Sequence, residues 1–114
     1  MWLNYMRLLL DENLPKRLKQ DFPAHEIFTV RDKLWNGINN GELLKLMLAE
    51  GFHALLTFGK NLQHQQNFGR YTLTVLVLNA PINTYAELTK LSSQINAFLA
   101  TGLLSPGPVV IKTA

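Results

Sequence analysis

Five apolar runs punctuate the chain, separated by stretches in which apolar residues recur three and four positions apart. Leu8-Leu9-Leu10, preceded by Tyr5-Met6-Arg7, reads as the end of a strand over residues 5–10. An uninterrupted run of this kind suits a strand buried on both faces of a parallel sheet better than an alternating one. His25 to Val30 predicts a second strand, Phe52 to Thr57 a third, and Tyr71 to Leu78, rich in β-branched residues, a fourth. Val109-Val110-Ile111 predicts a short fifth strand at the sheet edge. Between them, Leu14, Leu18 and Phe22 mark a short helix over residues 14–20 that Pro23 ends. Leu43, Leu44, Met47 and Leu48 mark a helix over 41–50, capped by Asn39 or Asn40 and stopped at Gly51. Leu88, Leu91, Ile95, Phe98 and Leu99 mark a longer helix, opened by a Thr84–Glu87 capping box and closed at Gly102. The polar segment 63–67 reads as a short helix or an irregular loop.

Strand and helix alternate, which predicts an α/β fold: a three-layer α/β/α sandwich with a mostly parallel sheet, right-handed crossovers, and one domain spanning 1–114. In such a sheet ligands bind at the carboxyl ends of the strands. That edge collects Asp11, Glu12, Arg31, Asp32, Gly59, Lys60, Asn61 and Asn79. Two carboxylates directly after the first strand, Asp11 and Glu12, are placed for a divalent metal or for catalysis. The plainer roles are a solvated turn for Asp11 and a favourable charge near a helix N-terminus for Glu12. Asn13 reads as a helix N-cap, with Pro15 tolerated in the first turn. Glu42 has a structural role in the first turn of its own helix. Lys16, Arg17 and Lys19 form a solvated helix face or a contact for RNA phosphates.

Composition narrows the classes. Hydrophobic residues make up 47% of the 114 residues and charged residues 17%, which excludes a disordered chain. The absence of cysteine removes disulfides and thiolate metal sites. His25, His53 and His64 lack the spacing of a zinc site and are taken as non-ligands. No apolar run approaches the ~18 residues of a membrane span, and the first residues lack the features of a signal peptide. The expectation is a cytoplasmic protein without a membrane segment. The net charge of +3 is compatible with nucleic acid but is also an ordinary value for solubility.

Three segments together carry a family likeness. Leu8-Leu9-Leu10-Asp11-Glu12-Asn13-Leu14-Pro15 resembles the opening of the small PIN-like proteins, a group related to PIN-domain toxins. Leu55-Leu56-Thr57-Phe58-Gly59-Lys60-Asn61-Leu62 resembles that group's third-strand motif, and Asn39-Asn40-Gly41-Glu42-Leu43-Leu44 its intervening helix start. The likeness covers roughly residues 5–80. It implies a PIN-like fold in which acids at the strand ends bind Mg²⁺ or Mn²⁺ and support RNA hydrolysis, in a toxin held in check by a small antitoxin, with a homodimer as a common form. Hard oxygen ligands suit those ions, and a bound metal activates water and stabilises the phosphorus transition state. The resemblance implies Asp11, Glu42 and Asn61 as catalytic residues, Asp11, Glu12 and Glu42 as metal ligands, and Lys60, Lys16 and Arg17 as contacts to RNA. One departure stands out. The family motif reads Thr-x-Asp-Lys-Asp or Thr-x-Asp-Lys-Asn, whereas Gly59 occupies the first acidic position here, which implies a weakened site. The alternatives are a PIN-like module without catalysis that binds RNA or a protein partner, and a receiver-like signalling domain, which the missing acid near Gly59 disfavours.

Overall fold

The computed structural model describes residues 5–59 and 73–112. Five strands, β1 (Arg7–Leu10), β2 (Glu26–Thr29), β3 (Ala54–Phe58), β4 (Thr74–Asn79) and β5 (Gly107–Lys112), form one sheet in the order β2-β1-β3-β4-β5. Every pairing is parallel. The register runs straight across the sheet, with Leu10 beside Thr29 on one side and Leu56 on the other, and Leu56 beside Leu76. The continuous apolar runs are explained by this arrangement. Leu8, Leu9, Leu10, Leu55, Leu56 and Leu76 are all essentially sealed from solvent because both faces are covered.

Successive residues of a strand point to opposite faces, so the two faces feed two cores. Leu8, Leu10, Leu56, Leu76 and Leu78 pack against Leu14, Leu18 and Phe22 and against Leu88, Leu91, Ile95 and Leu99. Leu9, Leu55, Val75 and Val77 pack against Trp35, Leu43, Leu44, Met47 and Phe52. The first face is thus covered by a 3-10 turn at Lys16–Asp21 together with the helices α2 (Tyr85–Leu88) and α3 (Ser92–Ala100). The second is covered by α1 (Asn40–Ala49). The result is the three-layer α/β/α sandwich expected from the alternation of elements. Each fully buried leucine contributes about 1.5–3 kcal/mol, so the two cores dominate stability.

Several local expectations are refined. Asn39, not Asn40, caps α1, its side chain accepting the Glu42 N–H at 2.9 Å, and Gly51 ends the helix with φ +76°. Thr84 accepts the Glu87 N–H, so the first half of the capping box is present. The long third helix is interrupted at Thr89–Leu91 by a 3-10 turn, and Thr89 and Ser92 at this break donate their hydroxyls to Asp21 at 2.7 and 2.6 Å. The first helical segment is a 3-10 turn, and Asn13 does not cap it. Pro15 stands at the cap position without a side-chain bond, while Asn13 donates to the Phe58 carbonyl at 3.3 Å and so ties the end of β1 to β3.

The crossovers do not share one hand. β1 to β2 and β2 to β3 run in opposite directions across the sheet and over opposite faces, which gives them the same hand. β4 to β5 runs in the direction of β2 to β3 but over the face that carries the Lys16–Asp21 turn, which gives it the opposite hand. The expectation that all are right-handed, the rule for nearly all such units, is therefore corrected. The hydroxyl contacts between Asp21 and the α2–α3 segment hold that helix on this face. At the outer edge, Gly107 donates its N–H to Leu73. Because donors alternate in direction along a strand, the missing N–H of Pro108 is one that would face away from the sheet. No helix among the described residues is long and apolar enough to cross a membrane.

Candidate functional site

The strand order reverses direction at β1, whose neighbours are β2 and β3. The carboxyl end of β1 therefore lies at the kind of switch point where open parallel sheets form a crevice. Asp11 stands there. Its backbone N–H extends the β1–β3 ladder by donating to the Leu56 carbonyl at 2.9 Å, and its own carbonyl accepts from Leu14. The carboxylate is held from two directions: the Thr57 hydroxyl donates to Oδ2 at 2.7 Å and the Glu12 N–H to Oδ1 at 2.8 Å. Thr57 is buried, so Asp11 is anchored by the sheet interior while remaining half-exposed. A charge-assisted bond of this kind is worth roughly twice a neutral one.

Glu12 is exposed and accepts the Gly37 N–H at 3.3 Å on one oxygen. The two acids line a half-open cleft of about 260 Å³ together with Leu14, Lys16, Thr29, Arg31, Asp32 and Asn36. Its walls come from the segments that follow β1 and β2. The second segment is shaped by a reciprocal pair: the Thr29 N–H donates to Asp32 Oδ2 at 2.8 Å, and the Asp32 N–H donates to Thr29 Oγ1 at 2.9 Å. Thr-x-x-Asp at this spacing follows the capping-box pattern and was legible in the sequence, although sequence reasoning did not use it. Lys19 closes on Asp32 at 2.8 Å. The hydrogen bonds from Lys19 and Thr29 hold the Asp32 carboxyl below its usual value despite the opposing effect of burial. Asp32 is therefore held as an anion, with Lys19 as its counter-charge.

The predicted site residues separate into groups. Asp11, Glu12 and Lys16 share the cleft. Glu42 is exposed in the first turn of α1. Arg17 is engaged elsewhere, with its guanidinium 4.4 Å from the centre of the Tyr85 ring. Lys60 and Asn61 lie outside the described residues. Among the described residues no three His, Asp or Glu side chains gather closely enough to hold a metal ion, so Asp11, Glu12 and Glu42 do not form a three-carboxylate centre. Gly59, at the position of the missing acid, follows β3 and donates its N–H to Leu78 at the end of β4. Arg31 and Thr29 are cleft residues that motif reasoning assigned no role.

His25 and His53 act as hydrogen-bond acceptors at the opposite end of β1. His25 Nδ1 accepts the Met6 N–H at 3.0 Å, and His53 Nδ1 accepts the Arg7 N–H at 2.9 Å. Both rings must be unprotonated at Nδ1 to do so. Burial lowers the His25 pKa below 6.5, consistent with that role.

Fold and site together define an all-parallel α/β protein with an anchored aspartate at its strand-end crevice. Comparison with family models, curated proteins and solved structures finds no match to this chain.

Proposed function

We propose that the chain is a PIN-like module that binds single-stranded RNA at the strand-end edge without a resident catalytic metal centre. The observation that carries this reading is the cleft itself: an aspartate fixed by Thr57 and Glu12 shares a small polar hollow with Lys16 and Arg31, while the cleft's third carboxylate, Asp32, is paired with Lys19, and no three acids among the described residues gather as a metal site. A hard cation held by protein alone needs several oxygen ligands, and among the described residues no three acids come close enough together to supply them. The cations provide the attraction for phosphate that RNA binding requires.

The test is binding of a fluorescent single-stranded RNA in EDTA and in Mg²⁺ or Mn²⁺, followed by gel analysis of the same RNA. Binding that persists in EDTA, with the RNA left intact under all three conditions, is the expected result. A companion variant probes the missing acid. Gly59→Asp is expected to create calorimetric Mn²⁺ binding that the parent lacks.

A second reading is favoured by the anchoring of Asp11. Mg²⁺ is commonly held by one or two carboxylates together with substrate phosphates, and Asp11 and Glu12 are such a pair. In that case the chain is a toxin-type ribonuclease restrained by a small antitoxin. Mg²⁺-dependent cleavage by the parent, abolished in Asp11→Asn, would establish this reading in place of the first.

A further inference from the structure

Two cations in the cleft are unspent. Neither Lys16 nor Arg31 makes an ion pair or a side-chain hydrogen bond with any described residue, and both are exposed. Nearby cations are accounted for: Lys19 is bound to Asp32 and Lys33 to Glu50. On the acidic side, each oxygen of Asp11 and one of Glu12 accepts a single hydrogen bond from the described residues. A carboxylate oxygen has further acceptor capacity. The cleft therefore asks for a ligand with two kinds of group, an anion for Lys16 and Arg31 and O–H or N–H donors for Asp11 and Glu12. Its volume of about 260 Å³ lies at the small end of ligand sites, which limits the occupant to one compact unit. Leu14, buried at its base, supplies an apolar surface.

A ribonucleotide meets each demand. Its phosphate is the anion, and its ribose hydroxyls are donors suited to carboxylates at the end of a parallel strand, the pairing by which such sheets hold a ribose 2′-hydroxyl elsewhere. We propose that this cleft is a selective ribonucleotide subsite, in which Lys16 and Arg31 hold one phosphate of the strand while Asp11 and Glu12 accept hydrogen bonds from the ribose of the same unit. This deepens the RNA-binding reading and rests on it. It adds that discrimination of RNA from DNA lies in the acids and not in the cations, because the 2′-hydroxyl is the group the two polymers do not share.

The experiment compares short single-stranded RNA and DNA of equal sequence by fluorescence anisotropy in EDTA, for the parent and for Arg31→Ala, Lys16→Ala, Glu12→Gln, Asp11→Asn and, as a control for loss of one exposed cation, Lys45→Ala. The parent is expected to favour RNA. Arg31→Ala and Lys16→Ala each weaken both polymers about tenfold, as loss of one charge-assisted bond does, while Lys45→Ala changes little. Glu12→Gln leaves DNA binding unchanged and lowers RNA binding towards it. A ribonucleoside monophosphate competes with RNA more effectively than its deoxy counterpart or inorganic phosphate. If the parent binds RNA but Arg31→Ala and Lys16→Ala match Lys45→Ala, the subsite is elsewhere and only this inference fails. If Glu12→Gln and Asp11→Asn both retain the full preference for RNA, the assignment of the ribose is overturned. If the parent binds no RNA, the functional reading falls together with it. Circular dichroism melts check that each variant is folded.

Discussion

Leu34 combines a backbone φ of 63° with a side chain that is 86% exposed. A left-handed backbone costs an ordinary residue about 1–2 kcal/mol, and an exposed leucine gains no burial in return. Leu34 lies in the turn that carries Arg31 and Asp32, and its N–H bonds the Arg31 carbonyl at 3.0 Å. Glycine adopts this conformation freely but loses more chain entropy on folding. Leu34→Gly is therefore expected to stabilise the fold by about 0.5–1 kcal/mol, read as a rise in melting temperature. A fall would show that the leucine is held by contacts that offset its strain. Thr57 offers the complementary case. Thr57→Val keeps the shape of a buried side chain but removes the donor to Asp11 Oδ2. Water can reach the half-exposed carboxylate, so the expected cost in stability is only about 1 kcal/mol. RNA affinity should drop further than stability does, since the aspartate loses its orientation. Asn39→Ala, by contrast, should cost about 1 kcal/mol through loss of the α1 cap, with no effect on RNA.

Among the elements, the Lys16–Asp21 turn is held less by its own backbone than by its last residue. The Asp21 carboxylate accepts hydroxyl bonds from Tyr85, Thr89 and Ser92, and its carbonyl accepts from Asn96. Burial pushes the Asp21 pKa up, but the hydroxyl bonds and the nearby Arg17 charge outweigh it, leaving the group below 3.8. A carboxyl lowered on folding stabilises the native state above its unfolded value, and that contribution is lost as pH falls through the folded one. Asp21→Asn should flatten the acid limb of stability measured by urea denaturation between pH 5 and pH 2, a window set by the ~3.9 of a free aspartate. His25 acts with the same sign at higher pH. Its lowered pKa favours the neutral ring that accepts from Met6, so stability is complete above about 6.5 and declines as the ring charges below it. His25→Gln, which keeps an acceptor without the titration, should remove that decline. These elements also show what the sequence could convey. The leucine and valine runs were legible as strands because burial on both faces requires them, and Asn39 was legible because a cap acts within three residues. The break at Thr89–Leu91, the reassignment of Asn13 to Phe58 and the pairing of Thr57 with Asp11 join residues 45 to 71 positions apart. No local pattern announces such partners. Glu42 was drawn toward the site by motif order, while its place in a first turn capped by Asn39 was legible from local spacing.

At the scale of the molecule, the β2-β1-β3-β4-β5 order leaves β2 and β5 as edges. The two differ in character. β2 spans four residues, and Arg7 and Lys33 lie over its Phe28 ring at 5.7 and 5.3 Å. A short edge beneath charged side chains resists added strands. β5 spans six residues with Val110 exposed, and it has no comparable charge along its middle. The proline described at position 108 acquires a second meaning in this setting. By deleting one outward donor it interrupts the ribbon of backbone groups on which a neighbouring molecule could template its own strand. A gap of this kind weakens strand addition by a second copy. Pro108→Val should restore a continuous row of donors, and light scattering should then rise with protein concentration where the parent stays flat.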